Sequence, residues 1–423
     1  MRGNGISRLQ PRRDLLRSGA AAVALALVPR PSFSEERGES APAFSGGSTF
    51  DDVWRTVRDN FYDRHMHGLD WASVRERYAA DANRATSEAA LAGVINRMLS
   101  ELHASHTRYY TPAEPEYYQL ADIFAGALRR HGLEAAFPGD RISYPGIGML
   151  SRTNDQGHSL VVGVLGDTPV QHAGLLAGDE IVSADGRPFE PVGSFRDKIG
   201  KPVALVLRRA DAFLQVKVTP VEIEPNKMFL DGMEASARIF QSHGRRIGYV
   251  HVWCYAGYVY QRTLERLLSQ GALKDADALI WDLRDGWGGA VPEYLDLFNS
   301  RAPTMRIINR DGSNEFENVK WRKPAAMLIN GGTRSGKEVL AYGFKKYGLG
   351  EVIGTRTEGA VLAATAFLIG GGLLLLAVGD VLVDGKRLEA VGVAPTIEVP
   401  PGQAYGTPGD PQLDRAIAEL SGA

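Results

Sequence analysis

The chain has 423 residues, 44% of them hydrophobic and 23% charged, with a formal net charge of −2. This length exceeds a single compact core, so two or three domains are expected, and the near-neutral balance gives no electrostatic case for nucleic acid or an anionic membrane as a partner. One cysteine, Cys254, excludes an internal disulfide framework and any multi-cysteine metal site; it reads as a core residue in a strand.

At the N-terminus, Arg12-Arg13 precede Leu15-Leu16 and a short Ala/Val/Leu run ending at Pro29. A basic region before an apolar region too short to cross a bilayer reads as an export signal, and the paired arginines resemble the twin-arginine type. That predicts a periplasmic or secreted protein, with residues 1–46 outside the fold. Ala24-Leu25-Ala26 and Ala41-Pro42-Ala43 are the small-x-small cleavage candidates. Ser48-x-x-Asp51 has the form of a capping box and opens a helical pattern through Phe50, Val53, Trp54, Val57 and Phe61. A second helix is predicted over 87–103, with Leu91, Val94, Ile95, Met98, Leu99 and Leu102 on one face, running into "ELHASHTRYY". Residues 47–118 thus form a predicted helical domain, and 119–143 a linker.

Residues 144–222 change to short β-rich runs such as "SLVVGVL" (159–165) and "VALVLRR" (203–209). "AGLLAGDEIVSADG" (173–186) resembles the helix-to-strand corner of a PDZ domain: Ala173-Gly174-Leu175 start a short element, Gly178-Asp179 turn, and Glu180-Ile181-Val182 enter a strand. The resemblance implies that a peptide C-terminus adds here as a strand. Its carboxylate would be held by backbone N–H groups of Gly146-Ile147-Gly148-Met149. From about 245 onward strands and helices alternate, which predicts an α/β core within 223–423. The uncharged run from Ala360 to Gly379 is long enough to span a membrane. Gly370-Gly371-Gly372 interrupt it and Asp380 and Asp384 follow, so it reads as two buried strands joined by a glycine turn.

"NGGTRSGKEV" (330–339) follows the apolar run Ala325–Ile329. Gly331 to Lys337 fits G-x-x-x-x-G-K, the start of a phosphate-binding loop. Such a loop needs Ser or Thr next, for Mg²⁺, and the chain has Glu338, although Asp282 in "IWDLR" could serve a metal. The alternative centres on Ser335 at a strand-to-helix turn, where a hydroxyl projects and helix N–H groups face an oxyanion. A plain helix cap is a third reading.

"ALIWDLRDGWGG", "PAAMLINGGTRSGKEVLAYGFKKYG", "VIGTRTEG" and "GKRLEAVGVAPTIEV", in this order, resemble the C-terminal processing (tail-specific) serine peptidases. The resemblance covers 47–423 and implies a multidomain fold: a helical N-terminal unit, a PDZ-like β domain and an α/β core of ClpP/crotonase type. One branch of that family pairs its serine with a lysine in a Gly-Lys-Gly phrase; here the phrase reads Gly359-Ala360-Val361, so the lysine plan is absent. Lys337, two residues along a helix from Ser335, points to a different face. The other branch, similar to the tricorn core peptidase, implies a tetrad of Ser335, His106, Ser105 and Glu389, with Gly288 and Gly336 N–H groups as oxyanion hole. No cofactor or metal is implied, and the partners are polypeptides with free C-termini. His103 and His106 could instead suggest a metal, but no third ligand follows. A non-catalytic binder of peptides or apolar ligands with the same fold is the competing expectation.

Overall fold

A computed structural model describes residues 46–422 except 131, 155, 156, 300, 403, 404, 407 and 408. The expected export signal lies outside the described residues but for Gly46. Three helices come first: α1 (Gly46–Asn60), α2 (Trp71–Arg84) and α3 (Glu88–Ser100). Phe50, Val53 and Val57 of α1 are buried with Leu91, Val94, Ile95, Met98 and Leu99 of α3, as their spacing requires. Helix α1 begins at Gly46, so Ser48 is its third residue and not its cap. Helix α2, which the periodicity did not single out, starts where Asp70 accepts hydrogen bonds from the N–H groups of Ala72 and Ser73. Helix α3 stops at Ser100, short of 103, because His103 and His106 take positive φ (46° and 53°) and turn the chain into β1 (Arg108–Tyr110). Helix α4 (Pro115–Ile123) then crosses the expected domain boundary at 118. Residues 119–143, expected as a linker, bury Leu120, Leu128, Leu133, Phe137 and Ile142 against Leu373 and Leu375.

Next come β2 (Tyr144–Gly146), β3 (Met149–Thr153), β4 (Ser159–Val164), β5 (Glu180–Ala184), β6 (Val203–Arg209) and β7 (Ala212–Val218). Strands β3 to β7 form an antiparallel sheet in sequence order, with Arg187–Pro188 paired to β5. The alternation of β6 puts Val203, Leu205 and Leu207 into a core with Val161, Ile181 and Phe195. The short helix here is Pro169–His172, ahead of Ala173-Gly174-Leu175 and not at them, because Pro169 supplies its start.

The remaining chain supplies α5 (Pro225–Ser236), β8 (Arg238–Ser242), β9 (Arg245–His251), α6 (Tyr258–Ser269), β10 (Ala278–Asp282), β11 (Ala325–Ile329), α7 (Gly336–Lys346), β12 (Glu351–Gly354), β13 (Ala363–Ile369), β14 (Gly372–Gly379), β15 (Ile397–Glu398) and α8 (Pro411–Ser421). The central sheet has the order β8-β9-β10-β11-β12-β15, and it is parallel from β9 to β15. Strands β10 and β11 are buried at every position, the signature of a sheet covered on both faces. The uncharged run is the antiparallel pair β13–β14, turned at Gly370-Gly371 and flanked on its other side by β1. Among the described residues no helix is long and apolar enough to cross a membrane. Pairing of β1 with β14 brings the segment after α3 up against the core.

At the end of β10, Asp282 and Arg284 are both buried and bonded to each other, and Arg284 also reaches Asp410 (2.8 Å) and Gln412 (2.9 Å) at the start of α8. Burial alone would raise the Asp282 carboxyl; Arg284 and His251 hold it below the usual carboxylate range instead. Replacing Arg284 by Met leaves two buried carboxylates without their cation. Urea unfolding of Arg284→Met is expected to show a loss of about 3–5 kcal/mol.

Candidate active site

The parallel strands β10, β11 and β12 end on one edge of the sheet, where their loops converge, the usual crevice of an open α/β sheet. The loop after β11 ends at Ser335, whose φ of 58° and ψ of −132° lie in a region that L-residues rarely adopt. Two contacts hold it there. Its N–H donates to Ala360 O (2.8 Å) and to Glu338 Oε2 (3.0 Å). Ser335-x-x-Glu338 is therefore a cap for α7, and the same turn projects the hydroxyl.

The loop after β10 packs against this turn. A Cβ on Gly288 would lie 2.5 Å from Ser335 Cβ, and one on Gly336 would lie 2.4 Å from Ala290 N. Glycine at both positions lets the two backbones touch. The N–H groups of Gly288 and Gly336 meet no protein acceptor among the described residues. Trp287 donates its indole N–H to Gln119 of α4 (2.7 Å), which ties this loop to the N-terminal segment. Asn330 accepts from Asp285 N (3.1 Å) and donates to Asp285 Oδ2 (2.8 Å), which ties it to the loop after β11.

The segment between α3 and β1 brings Ser105 and His106. Ser105 Oγ lies 2.9 Å from both Glu389 Oε2 and His106 Nδ1, and Ser105 N–H donates to Glu389 Oε1 (3.0 Å). A carboxylate only accepts, so the single hydroxyl proton of Ser105 goes to Glu389. Ser105 Oγ then accepts from His106 Nδ1–H, which leaves the lone pair on Nε2. Burial pushes the pKa of His106 down to about 4, with the Arg334 guanidinium adding to the shift. Val361 N–H donates to Glu389 Oε2 (2.7 Å), one residue beyond the Ala360 that holds Ser335. Ser335 and His106 themselves share no hydrogen bond. His103 is exposed, and among the described residues no group of three His, Cys, Asp or Glu is placed to hold a metal.

Residues 246–399 match the model of Peptidase family S41, and residues 48–100 that of the Tricorn protease C1 domain. The S41 match falls within the α/β core, and the tricorn match on the N-terminal helices. A tricorn protease homolog 1 of Streptomyces coelicolor is 26% identical over 89% of this chain and 35% of its own length. The chain thus spans about a third of the curated tricorn homologues it matches. A carboxyl-terminal-processing protease of Synechocystis is 24% identical over 87% of this chain and 85% of the relative. Among solved structures, a photosystem II D1 C-terminal processing protease covers 90% of this chain at 20% identity and a TM-score of 0.50. The tricorn protease covers 89% at 20% identity and a TM-score of 0.53, through 36% of its own chain. These likenesses establish the multidomain α/β fold that the S41 peptidases share.

Several residues around this site have structural roles that the sequence did not reveal. Glu338 is fully buried, although the capping-box spacing to Ser335 was there to be read. Lys337 is also fully buried; its Nζ donates to Asp285 O (2.7 Å) and Trp253 O (3.3 Å), so it faces away from any phosphate above Gly331–Lys337. Asp282, the metal candidate of the phosphate-loop reading, is spent on Arg284 and Tyr249. Cys254 lies just past the end of β9, in a single bridge to Trp287, and burial pushes its thiol up to about 11. Burial likewise pushes the pKa of Lys337 down to about 7. In the unfolded chain a lysine keeps its proton to about pH 10.4, so the folded state binds fewer protons between the two values and gains stability as pH rises. From pH 7 to 9 the stability of the native chain should therefore rise relative to Lys337→Met by about 2 kcal/mol, read from paired urea titrations.

Proposed function

We propose that the chain is an exported serine endopeptidase of the C-terminal processing type that cuts flexible polypeptides. The observation that carries this reading is the hydrogen-bond chain Glu389–Ser105–His106 beside a strained Ser335 and two unpaired N–H groups. Ser335 Oγ attacks the scissile carbonyl and passes its proton to His106 Nε2. The imidazolium is held through Nδ1–H by Ser105 and, behind it, by the Glu389 carboxylate, the part an aspartate plays in a serine triad. Gly288 and Gly336 N–H groups receive the oxyanion. His106 then returns the proton to the leaving amine, and water repeats the sequence on the acyl-enzyme.

The antiparallel sheet β3–β7 supports the PDZ reading. Gly148, with φ of 80°, turns the chain between β2 and β3, and Ile147 O accepts from Val170 at the short helix Pro169–His172. This contact supports the reading of Gly146-Ile147-Gly148-Met149 as the loop at which a peptide C-terminus would end. A strand-adding site takes extended chain, so the substrates are unfolded or flexible polypeptides with free C-termini. Periplasmic or secreted location follows from residues 1–46 as read above. The names of the processing-protease relatives agree with this substrate class.

A non-catalytic binder of peptides or apolar ligands is favoured by one observation, the absence of a bond between Ser335 and His106. The peptidase reading requires these two groups to close to hydrogen-bond distance when substrate binds, as catalytic pairs commonly do. Cleavage of an unstructured protein without nucleotide or metal decides between the readings. The native chain is expected to cut it, and Ser335→Ala to be slower by at least about a thousandfold. No cleavage by the native chain would favour the binder. His106, neutral above about pH 4, should also carry the acid limb of kcat/KM down to that value from the 6.5 of an ordinary histidine. An acid limb near 6.5 would mean that His106 keeps the pKa of a solvated imidazole in the free enzyme.

A further inference from the structure

Glu338 is buried completely, yet its carboxylate is fully engaged. Oε1 accepts from Thr357 Oγ1 (2.6 Å) and Gly359 N–H (2.8 Å). Oε2 accepts from Ala360 N–H (2.9 Å) and Ser335 N–H (3.0 Å). All four partners are donors: the Thr357 hydroxyl itself accepts from Val393 N–H (2.7 Å), so its proton points to Glu338. A protonated carboxyl would find no acceptor here; burial raises the Glu338 pKa, and the four donors oppose that shift.

A helix cap needs only the contact to Ser335. The other three donors belong to the segment Thr357–Ala360, which continues into Val361 N–H on Glu389. Three successive amides are thus divided between two carboxylates, Gly359 and Ala360 on Glu338, Val361 on Glu389. Ala390 N–H closes the far side by donating to Gly359 O (2.8 Å). The segment is the shared wall between the turn that holds Ser335 and the Glu389–Ser105–His106 chain.

We infer that Glu338 is a positioning residue for peptide hydrolysis: its carboxylate fixes the strained Ser335 backbone to the 357–361 segment and so sets the distance between the Ser335 hydroxyl and His106. The inference rests on Ser335 being the nucleophile. It assigns Glu338 a task at the position of the chain where the lysine plan of the family would have placed a base, at Ala360. Here that stretch contributes backbone amides, and the carboxylate that collects them comes from the nucleophile's own helix.

The test uses the full chain and two readouts: peptide cleavage kinetics, and the rate at which a fluorophosphonate labels Ser335. In labelling, an Oγ–P bond forms, P–F breaks, fluoride leaves and the proton goes to His106. Glu338→Gln keeps the shape but turns an N–H₂ group towards two donors. It is expected to lower kcat and the labelling rate about tenfold to a hundredfold while KM stays within about twofold. Thr357→Val removes one of the four donors and should lower both rates in the same direction; Thr357→Ser, which keeps the hydroxyl, should restore them. Labelling of Glu338→Gln within about threefold of the native rate overturns the inference, as does equal loss in Thr357→Ser and Thr357→Val, which would indicate a packing role only. If Glu338→Gln does not fold, the Thr357 pair decides by the same criterion. A native chain that neither cleaves nor labels overturns the peptidase reading, and this inference with it.

Discussion

The geometry of this site depends on how one short stretch of backbone, Gly359-Ala360-Val361, is held. Its three N–H groups point at two carboxylates, one on the helix that follows Ser335 and one on the loop that reaches Ser105. Each acceptor is a carboxyl oxygen and each donor a main-chain amide, so these bonds are intolerant of a missing partner. Moving this stretch would move both the Ser335 turn and the Glu389 side chain. A side-chain base at Ala360 is absent, and the imidazole that stands nearest in the hydrogen-bond chain comes from the first hundred or so residues of the sequence instead.

That delivery explains why the N-terminal helices pack as they do. His106 follows α3 by six residues and precedes β1 by two, so its position is set at one end by helix packing and at the other by the pairing of β1 with β14. Leu374 and Leu376 of β14 share a core with Phe50, Val53 and Leu99, while Leu373 and Leu375 face the segment after α4. The alternation along one strand thus fastens both flanks of the His106 segment to the core. Gln119 adds a polar tie by accepting from Trp287 in the loop that carries Gly288. The helical unit is therefore part of the site's framework, with the α/β sheet supplying the serine and the glycine loop.

Much of this was legible in the chain. The helical spacing of Phe50 to Val57 and Leu91 to Leu102, the β-rich run Val203 to Arg209, and the apolar run Ala325–Ile329 of β11 each report a local burial pattern that tertiary packing kept. The uncharged run from Ala360 to Gly379 resolved correctly into strands because its glycines sit at the turn. Helix α2 escaped because Trp71, Val74 and Ala82 are few among charged and polar neighbours, and only three of its fourteen residues are buried. The stretch 119–143 read as a linker because its buried residues lie mostly at the end of α4 and in helices of four residues, too short to show a sustained period.

The site itself was legible only in part, and for a physical reason. Ser105 and Glu389 lie 284 positions apart, and no local spacing encodes a contact closed by a fold. Their juxtaposition was expected from likeness to a family; in the structure it is a pair of hydrogen bonds. Glu338 shows the opposite case. Its spacing from Ser335 was visible, but a capping box is so common that the pattern carries no hint of the three further donors brought by Thr357, Gly359 and Ala360. Those donors are backbone and hydroxyl groups, which any sequence offers everywhere. What distinguishes this place is a buried carboxylate that needs them all, and burial is decided by the whole fold. The same holds for Lys337: beside Gly336 it suggested a phosphate, and only the closed packing of the loop after β10 turns its ammonium to two carbonyl oxygens within the protein.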